Sequence, residues 1–202
     1  MEHSVYIVFA ATPYRIGKAI QHLTKEYYNH ACIALDEELT QMFGFARRFY
    51  RTPLYGGFVR ESLSRHHVNG SRSQICLCKL PVTHAQYEAV RDRLLNMYDE
   101  KEKYLYNHLS VLSAPLRRPV KLRCAYTCVE FCVDVLQTLG FPLDPHKYYS
   151  IGDLQQFLQT YVVYEGPIPM DKSFDTVYYA KRPVRHPMLI TVRDFFRLFS
   201  RA

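Results

Sequence analysis

No stretch of this 202-residue sequence is long and apolar enough to read as a membrane span. The run Val5-Tyr6-Ile7-Val8-Phe9-Ala10-Ala11 is too short to cross a bilayer, and no basic region precedes it as one would in a secretory signal. It reads instead as a buried β-strand ending at Thr12-Pro13. Low-complexity tracts and repeats at solenoid or propeller spacing are also missing. So are a phosphate-binding glycine loop and a dinucleotide fingerprint. With no export signal, the expected compartment is the cytoplasm, and the six cysteines are expected to be thiols.

What is present is an ordinary globular composition, 48% hydrophobic and 22% charged. The length suits one domain over residues 1–202 and allows a sizeable core. The formal charge of +7 favours acidic partners. Its basic clusters, Arg117-Arg118, Lys121-Leu122-Arg123 and Lys181-Arg182, are scattered rather than gathered on one element. Nucleic-acid binding is therefore not expected.

Along the chain, Arg15 to Tyr28 carries Ile16, Ala19, Ile20 and Leu23 at helical spacing. His30 to Leu35 is a strand-like run closed by the acidic turn Asp36-Glu37-Glu38, and Gln41 to Ala46 reads as the returning strand of a hairpin. Pro53 and Gly56-Gly57 mark a loop leading to Phe58-Val59-Arg60-Glu61. The polar segment His66 to Ser73 reads as an exposed turn with solvated histidines, and Gln74 to Leu80 as another strand. Thr83 is the expected N-cap of a helix through Tyr87, Val90, Leu94 and Tyr98. Tyr104 to Ser113 has no regular pattern. Asp153 to Leu158 suits a short helix, Tyr161 to Tyr164 a strand, and Thr191 to Phe199 a terminal amphipathic helix. Strands and helices do not alternate strictly, so the expected class is α+β, with helices packed on a largely antiparallel sheet.

The clearest helix starts at Thr127. Thr127 and Glu130 have capping-box spacing, Cys128, Cys132, Val135, Leu136 and Leu139 form an apolar stripe, and Gly140 and Pro142 stop the helix. A thiol needs ionising to become a good nucleophile, and its free pKa is about 8.5. Cys128 would occupy the first helical position, where the helix field favours an anion and its own N–H can point at a developing oxyanion. A small buried core residue is the equal alternative on these grounds. Such a thiolate needs an imidazole to take and return a proton. His30, at the start of an apolar strand, is the best placed of the nine histidines, although a histidine in that position is by itself more often structural.

These residues resemble the circularly permuted NlpC-type papain-like cysteine hydrolases, in particular the YaeF/YiiX-like group. The matching segments are Tyr28-Asn29-His30-Ala31-Cys32-Ile33-Ala34-Leu35-Asp36, Met42-Phe43-Gly44-Phe45-Ala46-Arg47, Gly56-Gly57-Phe58-Val59-Arg60-Glu61, Tyr104-Leu105-Tyr106-Asn107 and Thr127-Cys128-Val129-Glu130-Phe131. The resemblance implies a papain-like fold in which the histidine strand precedes the nucleophile helix. It also implies attack on an amide, peptide or ester carbonyl through an acyl-thioester, with Cys128 as nucleophile and His30 as base and then acid. The substrate would be a small peptide, an amino-acid-containing molecule or an acyl compound. One departure stands out. The strand Met42-Phe43-Gly44-Phe45 offers no polar side chain to orient the imidazole. Glu61 is the candidate third residue, with a solvated Glu61 or a bare dyad as alternatives. Tyr126 is a candidate for lining the oxyanion site, or a packed aromatic.

Three readings follow: a cysteine hydrolase of amide bonds, a thiol acyltransferase or lipid hydrolase on the same residues, and a non-catalytic binding module with the same cleft. The spacing of Cys76 and Cys78 is too short for a usual zinc pair, and no metal or cofactor is expected. The terminal helix is expected to pack on the domain, with contact to an anionic membrane as the lesser alternative.

Overall fold

In the computed structural model, which describes residues 3–12, 21, 26–52, 54–68, 71–169, 175–179 and 187–201, strand β1 (His3–Ala11) is buried at every position between its two ends. A strand covered on one face alternates apolar and polar side chains, whereas a continuous apolar run needs cover on both. Here Val5, Ile7 and Phe9 face one apolar cluster, and Tyr6, Val8 and Ala10 face another.

β1 pairs antiparallel with β2 (His30–Ala34), which continues through β3 (Met42–Arg47) and β4 (Gly56–Glu61). Two short strands, β5 (His67–Val68) and β6 (Ser71–Arg72), form a separate hairpin. The remaining strands are β7 (Gln74–Val82), β8 (Leu105–Tyr106), β9 (Ala125–Tyr126) and β10 (Val162–Pro167). Eight strands make one sheet in the order β10-β7-β1-β2-β3-β4-β8-β9, antiparallel except for the parallel β8–β9 pair.

The helices are α1 (His84–Asp99), α2 (His108–Ser113), α3 (Cys128–Thr138), α4 (Ile151–Phe157), α5 (Thr176–Tyr179) and α6 (Pro187–Phe199). The class is α+β. Helix α1 starts where expected, because Thr83 and Gln86 form a full capping box. Helix α3 lays Phe131, Cys132, Val135 and Leu136 on the sheet against Ala31, Ile33, Phe43, Phe45 and Phe58. Gly140, at φ 88°, takes the left-handed conformation that ends it. All six cysteines are free thiols.

Several expectations change. The helix expected between Arg15 and Tyr28 falls largely on residues outside those described. The segment from Tyr104 is more regular than its pattern, because β8 is fixed by its neighbours and α2 by Asn107, whose side chain accepts from the Ser110 N–H. The terminal helix docks through Leu198, which joins Leu105, Leu122 and Ala125, while Leu189, Val192, Phe196 and Phe199 are exposed. His66 is 2% exposed, not solvated, since it ends a short 3-10 turn (Leu63–His66) that tucks its ring inward.

Candidate active site

The position of Cys128 follows from the cap. Thr127 Oγ1 accepts from the Glu130 N–H at 3.2 Å, and Glu130 Oε2 accepts from the Thr127 N–H at 2.8 Å. Glu130 also accepts from Asn107 Nδ2 at 3.2 Å and from the Ser110 hydroxyl. The first turn of α3 is thereby tied to α2, and Cys128 is fixed at its first position.

His30 is held by the residue before it. The Asn29 N–H donates to the Ala10 carbonyl at 3.0 Å. Its side chain accepts from the Thr12 N–H at 3.0 Å and hydroxyl at 2.7 Å, and donates to the Thr12 carbonyl at 3.0 Å. These bonds staple the start of β2 to the end of β1, opposite Ala10.

Glu61 closes the constellation from two strands away. Its Oε1 and Oε2 lie 2.9 and 3.0 Å from His30 Nε2, and only 3% of its side chain is exposed. The intervening strand β3 lets it through because Gly44 has no side chain. A Cβ on Gly44 would sit 2.6 Å from Glu61 Oε1 and 3.0 Å from the Cys32 Cβ. The apolar strand that offered no third residue instead leaves room for one.

Cys128 is buried, and the groups that act on the ionisation of its thiol include His30, the Ala31 backbone and Tyr106. Burial alone would push its thiol up. The bond and charge of His30, with the donors from Ala31 and Tyr106, outweigh burial and bring it below the ordinary thiol value. Burial likewise disfavours a charged His30, but the Glu61 carboxylate and the bond to Cys128 lift it well above the usual imidazole range. Burial opposes ionisation of Glu61 too, and the two imidazoles of His30 and His66 overturn that, holding it well below the carboxylate range. All three directions favour one charge distribution: thiolate, imidazolium, carboxylate. With Nε2 committed to Glu61, Nδ1 is the His30 nitrogen left to exchange a proton with sulfur.

The other thiols behave differently. Cys32 lies near His30, yet burial and the Glu61 charge push it up to about 12. Cys132 lies in the core, and burial raises it strongly. Tyr126 packs against Phe45 and Phe131, with ring centroids 5.2 and 6.1 Å apart. Tyr106, its partner in the β8–β9 ladder, is among the groups that lower the Cys128 thiol. Two-residue strands carry no readable period, so no sequence signal separated these tyrosines.

Among the described residues, His30, Cys32 and Glu61 offer potential metal-ligand atoms within 4.8 Å of one another. Ligand atoms around a tetrahedral zinc stand about 3.3 Å or more apart. The 2.9 Å contact of His30 with Glu61 is closer than that, and it suits a shared proton better than a shared ion. No family model, curated protein or solved structure matches this chain.

Proposed function

We propose that the chain is a papain-like thiol hydrolase of amide or peptide bonds, with Cys128 as nucleophile, His30 as proton carrier and Glu61 as the residue orienting His30. The observation that carries this reading is a buried carboxylate 2.9 Å from an imidazole that in turn acts on the ionisation of a helix-N-terminal thiol. It needs all three groups in one place, which core packing alone does not.

In the first half-reaction the Cys128 thiolate attacks the carbonyl carbon, and its negative charge passes to the carbonyl oxygen. The backbone N–H of Cys128, which has no partner within its own helix, and the Tyr106 hydroxyl are the donors that would receive that charge. As the tetrahedral species collapses, the C–N bond breaks and the His30 imidazolium gives its proton to the leaving nitrogen. In the second half, neutral His30 takes a proton from water, the resulting hydroxide equivalent attacks the thioester, and the C–S bond breaks to return the thiolate and the imidazolium.

The non-catalytic reading rested on a strand without a polar third residue, and the gap at Gly44 with Glu61 behind it removes that ground. The acyltransferase reading uses the same residues and differs in the acceptor that resolves the thioester.

The test is alkylation by iodoacetamide at pH 6, with the modified site found by mass spectrometry. Cys128 labels first, and a His30→Ala variant labels more slowly there. Turnover falls by about 10²–10⁴-fold in that variant. If Cys128 reacts no faster than Cys124 or Cys132, the hydrolase reading is abandoned. A screen of short peptides against acyl esters then separates amide hydrolysis from acyl transfer.

A further inference from the structure

Behind Glu61 lies a group the mechanism above does not use. His66 is 2% exposed, and its Nε2 stands 3.2 Å from Glu61 Oε2. At that distance the N–H direction misses the oxygen, so neither ring nitrogen has a hydrogen-bond partner among the described residues. Its ring stacks on that of His30, with centroids 5.9 Å apart and planes inclined by 29°. The backbone is pinned: the His66 carbonyl accepts from the buried Ser73 hydroxyl at 2.7 Å.

A buried, unsatisfied polar side chain is costly, and one set beside a functional carboxylate asks for a reason. Bulk packing would be served as well by leucine or phenylalanine. Glu61 supplies the complementary reason. Both its oxygens lie near a single nitrogen of His30, so nothing in that contact fixes the rotation of the carboxylate plane. A donor on the far oxygen would fix it.

We propose that His66 is a positioning residue, which as a neutral imidazole donates its Nε2–H to Glu61 Oε2 and so locks the carboxylate that orients His30. The proposal rests on the thiol-hydrolase reading of Cys128 and His30. The 3.2 Å separation is within hydrogen-bond range, so a ring rotation that turns Nε2–H toward Oε2 makes the bond, and it leaves at Nδ1 a lone pair rather than an orphaned N–H. The charged and titratable groups facing His66 among the described residues are Glu61 from β4, His30 from β2 and Arg65 from its own turn. Burial, with the charges of His30 and Arg65, keeps the ring neutral against the pull of Glu61. A neutral ring is the form that can donate without adding a second cation beside His30. Two imidazoles thus share one carboxylate in different protonation states, one carrying the mobile proton and the other holding the frame.

The test follows the rate of Cys128 alkylation by iodoacetamide from pH 4 to 9 in the full chain. In His66→Phe the midpoint of the profile moves upward and the labelling rate at pH 6 falls about tenfold. In His66→Gln, which keeps a donor at similar reach, both stay near the wild-type values. On a cleaved peptide, the loss in His66→Phe falls on kcat rather than KM. A folded His66→Phe variant with the wild-type profile overturns the proposal. So does a His66→Gln variant that folds and loses reactivity as fully as His66→Phe. Should His66→Phe not fold, the wild-type protein decides by two-dimensional ¹H–¹⁵N NMR of its histidines. A neutral His66 with its proton on Nε2 supports the proposal, and an imidazolium or a proton on Nδ1 overturns it. If wild-type Cys128 shows no selective labelling at all, it is the hydrolase reading that has failed.

Discussion

Gly44 decides whether three polar groups can meet. Any side chain there would strike Glu61 Oε1 at 2.6 Å, and the neighbouring Cys32 Cβ at 3.0 Å bars escape to the other side. Gly44→Ala is therefore expected to cost about 1–3 kcal/mol, the usual range for overpacking a filled core. It should also turn the carboxylate away from His30, so that Cys128 loses its low-pH reactivity. Urea denaturation measures the first effect and the alkylation profile the second. A Gly44→Ala protein with undiminished reactivity would show that Glu61 does not need this space. Glu61 itself illustrates how environment sets a charge: fully buried, it stays ionised because two imidazoles face it.

At the scale of elements, the N-terminus of α3 bears the most weight. Its cap is not a local ornament, since Glu130 serves three partners: the Thr127 N–H, Asn107 and Ser110. Asn107 and Ser110 are buried, at 0% and 2% exposure, so removing their acceptor leaves orphaned donors. Thr127→Ala should cost about 1 kcal/mol, as for an ordinary N-cap. Glu130→Ala should cost more, by about 1–3 kcal/mol for the buried donors it abandons. Thermal or chemical denaturation of the two variants gives the order, and a smaller loss in Glu130→Ala would mean that α2 is not held through this carboxylate. The same helix places Cys128 against the start of β2, so fraying of its first turn should slow alkylation as well as lower stability.

For the whole molecule, the buried ion pair ties folding to pH. Glu61 is held below its ordinary value of 4.5, so its contribution to stability is present above that pH and is lost as pH falls toward the folded value. His30 is held above 6.5, so its contribution is present below that pH and is lost as pH rises through the folded value. The pair therefore stabilises the fold most between about pH 4.5 and 6.5. A Glu61→Gln variant should lose the acid-side decline that belongs to this carboxylate, while Asp153 and Asp175, also held low, continue to contribute theirs. Urea midpoints measured across pH in both proteins isolate the difference. Identical pH dependence would show that the pair does not couple to folding.

The chain itself determined whatever is local. Continuous apolar runs marked β1 and β2 as buried strands. Thr83 as an N-cap, and Thr127 with Glu130 as a capping box, marked helix starts, because such caps are satisfied within four residues. That was enough to put Cys128 at the head of a helix and His30 at the head of a strand. Tertiary structure decided what depends on residues far apart in sequence. It brought Glu61 through the gap at Gly44, set Tyr106 among the groups acting on Cys128, turned His66 inward and left the Leu189–Phe199 stripe uncovered. Side-chain periodicity reports which face of an element is apolar, and it is silent on which distant element will lie against that face. The proposed catalytic constellation draws on those distant contacts, from β2, β4, β8 and α3 together.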